Sequence, residues 1–522
     1  MGPYRILLDC GLADIQALAL SGQPPADVVL CSHAHPDHAR GLLALHSAYP
    51  KLPIYASEVT SRLVGFNWRE QPSPPCRAVP WRSPIQLAPQ LTLQLWPAGH
   101  FPGAAVAVLT YEAEQQVYKA VYAGDLTLSN SRLVDGFPLE ELRKLKPDVL
   151  IIEGSYGTAR HPRRRQQENQ LAAQISQSLS HRRSVMLPTS VLGMGQELLM
   201  LLRSHHHFTG QNINIWVNDA IADVCDTYLE LLGSFPETVQ NFARHQALFW
   251  DERIRPYVRR LQEARQGDWP QSDPSHALNI VITEPDADLE LCYSLDPGPW
   301  LWLLPEKPGR TSPVGAAVRE QIRTSKLLQA HLETGALMLD GYLISNHCDG
   351  AGTLQTIHNI RPQHVIFVHG SPSYLTDLTS VEDLQNRYHL HLPSADTVVE
   401  LPTSDTFIQP ERPDTHYGGE LTELKTAILI TLEQAIVEEP RWQQFADTGI
   451  IEARWQGDEL VLRGVEQREI LNDIASTHAV DSCDSCRYYR GQRCWNEESA
   501  LFGFHVNPEG YCPVYESNYD AP

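Results

Sequence analysis

The chain has 522 residues, of which 42% are hydrophobic and 20% charged, and it has no apolar run long enough to cross a bilayer. Its formal net charge of −22 excludes a surface that binds nucleic acid everywhere, because phosphate contacts need Lys and Arg. The ten cysteines are sparse and no export signal opens the chain, so we expect a cytoplasmic protein with reduced thiols and no membrane partner.

Residues 4 to about 147 alternate short apolar runs with turn residues, and this pattern predicts strands. The runs are RILLDCG, ADVVLCSHAH, LTLQLWPAGH, AVAVLTYEA, QQVYKAVYAGD and PDVLIIEGS. Several of them end in His, Asp or Glu. A rigid sheet presents a site in this way, with polar side chains at strand ends.

Residues 166 to about 343 have a different, α/β pattern, with helical runs such as QENQLAAQISQSL between strands such as RSVMLPTS. The earlier pattern then returns in GALMLDGYLISNHCDGAG and RPQHVIFVHGSP. The simplest interpretation is one site-bearing domain interrupted by a second. After a linker, ELTELKTAILITLEQAIVEE has the spacing of a helix, and GIIEARWQGDELVLRGV predicts a hairpin.

The segment CSHAHPDHARG concentrates His33, His35, Asp37 and His38 directly after a buried strand. Imidazole and carboxylate groups are ligands that zinc prefers, and a loop at a strand end can direct them to two metal ions. The alternative is an exposed polar loop without a metal. Further ligand candidates end later strands, namely His100 in PAGHFPG, Asp125 in VYAGD and His369 in VIFVHGSP.

These motifs, with ILLDCG before them, resemble the successive motifs of the metallo-β-lactamase fold, an αββα sandwich. The insertion resembles the β-CASP branch of that fold. This branch contains nucleases such as the cleavage subunit of eukaryotic mRNA 3′-end processing, archaeal relatives and ribonuclease J. IIEGSYGTARHPRR is similar to the first β-CASP motif, LISNHCDGAG to the second and VIFVHGSP to the third.

The resemblance implies a fold class and boundaries. We expect an α/β protein in which a metallo-β-lactamase sandwich is interrupted by a β-CASP α/β domain and followed by a small cysteine-rich module. The predicted parts are the first part of the sandwich (1–152), the insert (153–345), the return of the sandwich (346–402), a linker (403–420), a helix-plus-hairpin region (421–480) and the cysteine module (481–522). Relatives have strands before ILLDCG, so the first part is expected to lack N-terminal strands or to have its start assigned too late.

The resemblance also implies roles. His33, His35 and His100 would hold one zinc ion, Asp37, His38 and His369 a second, and Asp125 would bridge them. A water activated between the metals would attack phosphorus. His347 would protonate the departing oxygen, and Glu153 would orient that imidazole. Asp9 would orient a ligand or the water, although a plain strand-end turn explains it equally well.

The implied activity is that of a metal-dependent hydrolase, a ribonuclease acting on single-stranded RNA. A DNA nuclease of the same fold, a catalytically silent RNA-binding or partner-binding scaffold and a hydrolase of small thioesters or β-lactams are the alternatives. The histidine at position 369 resembles the RNA branch, where the DNA branch has valine. Whether the protein forms a homodimer stays open.

Two basic or histidine-rich runs lie outside these motifs. Arg163, Arg164 and Arg165 are candidates for contacts to RNA phosphates, with a solvated helix start as the alternative. His205 to His207 lie between a predicted helix and a strand, which predicts an exposed loop.

The C-terminal cysteines Cys483, Cys486, Cys494 and Cys512 have the spacing C-x2-C-x7-C-x17-C. Four thiolates can close a tetrahedral zinc site, and a module this small has too little core to fold without one. An iron–sulfur cluster fits the same residues, and free thiols or a disulfide are the further alternatives.

Overall fold

The computed structural model describes residues 1–401 except 20–21, 69–70, 115, 251–252, 264–277, 295–297, 308–309 and 396. Beyond these it describes 421–424, 427–431, 450–456, 459–464, 483, 486–490, 493–496, 499, 503 and 506. The chain forms two compact units, Met1–Gln409 and Pro410–Pro522.

The first unit begins with a four-stranded parallel sheet. Val28–Leu30 is buried throughout, as expected for a parallel strand that is covered on both faces. The strands, in spatial order, are β1 (Ile6–Leu8), β2 (Val28–Leu30), β3 (Ile54–Ser57) and β4 (Cys76–Val79). The helices between them are α1 (Gln16–Ala19), α2 (Pro36–Ala39), α3 (Leu42–Ala48) and α4 (Glu58–Leu63).

A second sheet begins with antiparallel strands. Along one of them, Leu91–Pro97, buried residues alternate with partly exposed ones, which is the pattern of a strand with one face in a core. The strands are β5 (Ile85–Ala88), β6 (Leu91–Pro97), β7 (Ala105–Glu112), β8 (Val117–Tyr122) and β9 (Val149–Glu153). β9 lies parallel to β8. The strands predicted at 4–147 are confirmed.

After β9 the chain forms a third sheet before it returns to the second sheet. Its strands are β10 (Ser184–Pro188), β11 (Ile213–Val217), β12 (Tyr257–Arg260), β13 (Leu278–Thr283), β14 (Trp300–Lys307), β15 (Arg310–Thr311) and β16 (Leu337–Tyr342). The helices are α5 (Arg164–Ser180), α6 (Met194–Ser204), α7 (Asp219–Glu230), α8 (Glu237–His245), α9 (Leu261–Glu263), α10 (Leu289–Ser294), α11 (Pro313–Thr324) and α12 (Lys326–Thr334). The parallel order is β12-β11-β13-β10-β14-β16, and β15 pairs antiparallel with β14.

The chain then returns to the second sheet. The elements are α13 (Gly350–Ile360), β17 (His364–Val368), α14 (Pro372–Thr379), α15 (Glu382–Gln385) and β18 (His389–His391). β17 pairs in parallel with β9, with Val368 opposite Glu153, and the sheet order becomes β18-β17-β9-β8-β7-β6-β5. The chain therefore leaves and re-enters this sheet on neighbouring strands.

The first two sheets share a core. Val28 and Leu30 of β2 belong to one buried cluster with Leu93 and Leu95 of β6 and with residues of β7. The opposite faces pack elsewhere, since Val29 belongs to a larger cluster that includes residues of α3, α13 and α14. Two facing sheets with helices on their outer sides form an αββα sandwich, so the predicted metallo-β-lactamase fold is confirmed, whereas the cysteine-rich module stays a prediction.

The second unit contains short antiparallel strands. They are β19 (Leu421–Leu424), β20 (Ala427–Thr431), β21 (Ile450–Gln456), β22 (Glu459–Gly464), β23 (Tyr489–Arg490) and β24 (Arg493–Cys494). The helix predicted from 420 onward is wrong at 421–424 and 427–431, where strands occur. The run AILIT is rich in β-branched residues, and pairing with β21 outweighs the helical spacing. β21 and β22 pair where the sequence predicts a hairpin.

Candidate metal centre

The predicted ligands lie at strand ends and in the loops that follow them. The loop after β2 carries His33 and His35, and the short helix α2 carries Asp37 and His38. Pro36 opens α2 at its first turn, where its missing N–H costs no helical hydrogen bond. The other predicted residues lie after β6, after β8, at the end of β9, after β16 and after β17, and they are His100, Asp125, Glu153, His347 and His369.

One group of ligand atoms is formed by His33, His35, His100 and Asp125. One ligand atom from each lies within 4.8 Å of the others. Nε2 of His33 and Nε2 of His100 each lie 3.6 Å from Oδ2 of Asp125. Nδ1 of His35 lies 3.0 Å from Nε2 of His100. Residues far apart in the sequence thus face one space.

A second group is formed by Asp37, His38 and His369, again with ligand atoms within 4.8 Å of one another. Nε2 of His369 lies 3.2 Å from Oδ2 of Asp37. Oδ1 of Asp125 lies 3.5 Å from Nε2 of His38 and 3.1 Å from Nδ1 of His369. Asp125 therefore stands between the two groups, with one oxygen toward each.

Hydrogen bonds on the outer side of the rings fix which nitrogen faces the cluster. Nδ1 of His33 bonds the hydroxyl of Ser32 at 3.0 Å, and Nδ1 of His100 bonds the main-chain oxygen of Asn346 at 2.8 Å. His35 is turned the other way, with Nε2 at 3.3 Å from the main-chain oxygen of Leu192. Such outer partners hold a histidine in the tautomer that a metal needs.

The residues present fit two divalent metal ions. Nε2 of His33, Nε2 of His38 and Oδ1 of Asp125 are buried and make no hydrogen bond with the residues that the structure describes. Buried polar atoms are nearly always paired, so three unpaired ones directed at one space indicate a ligand. Imidazole nitrogen and carboxylate oxygen are donors that suit zinc. The chain therefore has a candidate His/Asp metal site.

Burial and neighbouring charges set the proton states here. Burial lowers the pKa of His33 and His35, and it lowers the pKa of His100 to about 3, so these rings have a free lone pair. Burial would raise the pKa of Asp125, but His369 and His38 outweigh it and hold that pKa well below its usual value. Burial would lower the pKa of His38, but the carboxylates of Asp125 and Asp9 raise it to about 11. A metal at His38 must therefore displace a proton.

Asp9 is hydrogen-bonded on both of its oxygens. Oδ1 accepts from the main-chain N–H of Ser32 at 2.6 Å. Oδ2 lies 2.6 Å from Nδ1 of His38 and accepts from the hydroxyls of Ser32 at 2.6 Å and Tyr122 at 2.5 Å. Of the two interpretations of Asp9, these contacts favour the orienting role. Ser32 and Tyr122 were not predicted, although each lies close in sequence to a predicted ligand.

Glu153 and His347 form a pair beside the cluster. Oε2 of Glu153 accepts a 2.8 Å hydrogen bond from Nδ1 of His347, and Oε1 accepts from the N–H of Leu126 at 2.7 Å. Burial would raise the pKa of Glu153, but the charge of His347 outweighs it and lowers that pKa to about 2. The hydroxyl of Ser155 donates to Glu153 at 2.5 Å and lies 3.1 Å from Nδ1 of His369. Ser155 was not predicted; it lies two residues after Glu153, in the turn that follows β9.

Comparison with known proteins agrees with this geometry. Residues 4–187 match the β-lactamase superfamily domain. An uncharacterized protein of Synechocystis sp., sll0514, is 44% identical over 530 residues, which cover 99% of this chain and 93% of that protein. The chain belongs to the β-lactamase superfamily.

Two relatives of this superfamily protein are named as ribonucleases. Probable RNase MJ4 of Methanocaldococcus jannaschii is 27% identical over 225 residues, which cover 39% of this chain and 52% of that protein. Ribonuclease TTHA0252 of Thermus thermophilus is 28% identical over 261 residues, covering 46% and 58%. The chain thus spans a little over half the length of these two ribonucleases. With the insertion between β9 and β17, these matches place it among the β-CASP members of the superfamily.

One predicted RNA contact of this β-lactamase superfamily protein is wrong. Arg164 is buried, and its guanidinium bonds the carboxylates of Glu168 and Glu197 at 3.0 and 3.1 Å. It is therefore not available to a phosphate backbone. Arg163 and Arg165 are exposed and stay predictions.

The loop of His205 to His207 is only partly exposed, because His205 is buried. Its Nε2 lies 3.3 Å from Oδ1 of Asn169 on α5, and its Nδ1 accepts from the N–H of His207 at 3.3 Å. Burial, followed by His206, His207 and Arg132, lowers the pKa of His205 to about 4. Packing against α5 is not visible in the local sequence.

The predicted cysteine site lies partly outside the described residues. Cys483, Cys486 and Cys494 are buried, whereas Cys512 is not among the residues described. The four-cysteine metal site therefore stays a prediction. Within the described part of the chain, no helix has both the length and the hydropathy to cross a membrane.

Proposed function

We propose that this protein is a zinc-dependent ribonuclease of the β-CASP type that hydrolyses phosphodiester bonds in single-stranded RNA. The observation that carries the proposal is the position of the His347–Glu153 pair beside Asp125. Nδ1 of His347 lies 3.9 Å from Oδ2 of Asp125, at the edge of the two ligand groups. A proton donor next to two adjoining metal sites is what a two-metal phosphodiesterase requires.

The ligand assignment follows the two groups of atoms. His33, His35 and His100 would hold one zinc ion, Asp37, His38 and His369 would hold the second, and Asp125 would contribute to both sites. When bound, such ions lower the pKa of a water molecule toward neutrality and offset the charge that grows on the phosphoryl oxygens. Asp9, Ser32 and Asn346 keep the ligand rings in place through the outer hydrogen bonds.

His347 is the proton donor to the departing oxygen of the cleaved strand. Its Nδ1 is engaged by Glu153, so Nε2 is the atom that transfers the proton. The pKa of Glu153 is about 2, and its carboxylate is therefore charged at neutral pH, where it stabilises the protonated imidazole. The side chain of His347 is 14% exposed, so part of it can be reached by a substrate.

Several observations favour RNA cleavage over the alternatives. Two relatives that match parts of this chain are named as ribonucleases. The third β-CASP motif has a histidine, His369, which resembles the RNA branch. A silent scaffold is less well supported, because all seven ligand residues and His347 are present and face one another. A hydrolase of small molecules would not need the third sheet.

The exposed side chains of Arg163 and Arg165 flank the start of α5, close in sequence to Glu153. We place contacts to the RNA backbone there, with the charge of each arginine meeting a phosphate. Reversal of both charges should weaken binding to all sequences alike and reduce the salt dependence of binding. A cytoplasmic location remains a prediction from the sequence, and whether the chain forms a homodimer stays open.

The test combines metal analysis of the full chain with cleavage of end-labelled single-stranded RNA and of matching DNA. We expect about two zinc ions beyond any at the cysteine tail, and RNA cleavage that is lost in Asp37→Ala and His347→Ala. His347→Ala should retain its metals, whereas Asp37→Ala should lose one. His181→Ala and Asp27→Ala, which change exposed residues, are the matched controls.

Three results would overturn the proposal. Metals with no cleavage of either nucleic acid would favour the scaffold, and cleavage of DNA alone would favour the DNA nuclease. Cleavage by His347→Ala at the rate of the unchanged protein would remove the assigned proton donor.

The tail metal belongs to the same proposal and is tested separately. We place a structural zinc ion at Cys483, Cys486, Cys494 and Cys512. Cys486→Ser should lower the metal content of the full chain by one zinc ion and leave zinc binding at Asp37, His38 and His369 unaffected. An unchanged zinc content would contradict the tail site. Detection of iron and sulfide in the purified chain would identify the site as an iron–sulfur cluster instead of a zinc site.

A further inference from the structure

We propose that Arg164 is a positioning residue for the metal centre. It acts through the segment Ser345–His347, which carries the proton donor and also supplies the outer hydrogen-bond partner of His100. The catalytic consequence of this inference rests on the proposed function. The effect of Arg164 on metal binding can be measured even if the protein has no nuclease activity.

Arg164 binds this segment with one end of its guanidinium. Nη1 donates to Oδ1 of Asn346 at 2.6 Å and to the main-chain oxygen of Ser345 at 3.0 Å. Nε and Nη2 are directed the other way, to Glu168 and Glu197. The guanidinium is planar and its donors have a fixed geometry, so the two carboxylates determine where the third nitrogen points.

Two neighbours of Arg164 bind the same segment. Oε1 of Gln167, one turn further along α5, accepts from the N–H of Ser345 at 2.8 Å. Nε2 of His161 lies 3.2 Å from the main-chain oxygen of His347. His161 and the start of α5 thus contact three successive residues of the segment through main-chain or side-chain groups. A segment held in this way has little freedom to shift.

The segment leads directly to a proposed metal ligand. The main-chain oxygen of Asn346 accepts the 2.8 Å hydrogen bond from Nδ1 of His100, and Arg164 bonds the side chain of the same asparagine. Next along the chain, His347 bonds Glu153. A displacement of Asn346 would lengthen the bond that orients His100, and loss of such an outer partner typically weakens metal binding.

The carboxylates that hold Arg164 are connected to the other side of the site. Glu197 accepts hydrogen bonds from the hydroxyl of Ser131 at 2.6 Å and from the N–H of Leu133 at 3.0 Å, in the loop that follows Asp125. Glu168 pairs with Arg132 of that loop at 2.7 Å. Two arginines therefore balance two glutamates, so burial leaves no charge unpaired. The cluster joins the loop after Asp125 to the segment before His347.

A purely structural role for the cluster predicts a different outcome from a positioning role. If Arg164 only stabilises the fold, its replacement lowers the free energy of unfolding and leaves the affinity of the folded protein for zinc unchanged. If it positions Asn346, the affinity falls as well. Asn346→Ala separates the two, because it removes the side-chain acceptor and keeps the four charges and the main-chain oxygen that His100 uses.

The experiment measures the affinity of the full chain for Zn²⁺ by competition with a chromophoric chelator, together with thermal unfolding of the metal-free protein. The variants are Arg164→Met and Asn346→Ala, and the matched control is Arg165→Met, which removes an exposed arginine at the next position. We expect zinc affinity to fall about 10-fold or more in Arg164→Met and several-fold in Asn346→Ala. Arg165→Met should bind zinc as the unchanged protein does.

Unchanged zinc affinity in Asn346→Ala, with or without loss of stability in Arg164→Met, would overturn the inference. If Arg164→Met does not fold, Asn346→Ala decides the question alone. Failure of the proposed function gives a distinct result. An unchanged protein that binds zinc but cuts no RNA, with weakened zinc binding in both variants, would refute the nuclease and leave the positioning role intact.

Discussion

The carboxylate of Asp9 lies 2.6 Å from Nδ1 of His38, while Nε2 of the same ring lies 3.5 Å from Oδ1 of Asp125. The ring is thus held between an outer carboxylate and an inner one. Asp9 itself has a positive φ of 61°, a conformation that Asp and Asn adopt more readily than most residues. The carboxylate that bonds His38 is therefore placed at a turn that few other side chains would tolerate.

Asp9→Asn should weaken zinc binding about 10–100-fold, which is the usual cost of losing an outer partner of a metal ligand. The amide keeps the shape and tolerates the turn. Its NH₂ group, however, must face either the N–H of Ser32, which cannot accept from it, or the Oδ2 position, where Nδ1 of His38 would lose its carboxylate acceptor. Zinc titration against a competing chelator measures the change. Asp27→Asn, at an exposed residue, is the control, and equal affinity in the two variants would refute the orienting role.

Glu153→Gln should lower kcat by about 10²–10⁴-fold while the zinc content stays unchanged. The amide removes the charge that stabilises protonated His347 and can no longer satisfy both His347 and the N–H of Leu126. Single-turnover cleavage of RNA, with metal analysis of the same sample, provides the measurement. Glu141→Gln removes an exposed glutamate that pairs with Arg82 and should leave kcat as it is. A glutamine variant with undiminished kcat would show that His347 needs no carboxylate.

Gly11→Ala should disrupt the proposed metal centre without replacing any of its ligands. A Cβ at Gly11 would lie 1.6 Å from the main-chain oxygen of Asp37, so the start of α2 would have to move. We expect lower zinc content and a lower melting temperature. Gly233→Ala is the matched control, because a Cβ there meets nothing within 4 Å. Normal zinc content in Gly11→Ala would mean that α2 can shift without loss of its ligands.

The burial of His205 should make stability depend on pH. Its pKa is about 4 in the folded protein and about 6.5 when unfolded, so between these values the unfolded state binds the additional proton. The contribution of His205 to the free energy of unfolding is therefore fully present above pH 6.5. It decreases by about 1–3 kcal/mol as the pH falls toward 4. Urea unfolding from pH 7 to 4 should show a smaller decrease in His205→Gln than in the unchanged protein. If the free energy of unfolding depends on pH in the same way in both proteins, His205 does not titrate in this range.

The strands and the shared location of the candidate ligand residues could be predicted because each depends on a local pattern. Val28–Leu30 is a continuous apolar run, and His33 to His38 follow it within one loop. His100, Asp125 and His369 also follow apolar runs, so their shared location requires only that strand ends meet at one sheet edge. The resemblance to a known fold supplied their grouping into two sites.

What could not be predicted depends on contacts between distant segments. Arg164 lies in a basic run, and nothing near it in the sequence indicates that Glu197 and Asn346 surround it. Tyr122 is one apolar strand residue among several until Asp9 is placed beside it. The strand at 427–431 has apolar spacing compatible with a helix, and only pairing with β21 decides its conformation.

The pairing of β17 with β9 also determines the order in which the site can be completed during synthesis. Every proposed ligand except His369 emerges from the ribosome before the third sheet is made, yet β9 keeps one edge unpaired until β17 arrives. Domains fold largely as they are synthesised, and open strand edges at that stage promote aggregation. The nascent chain therefore has to protect the β9 edge until its last ligand is in place, and slow synthesis of the insertion would expose it for longer.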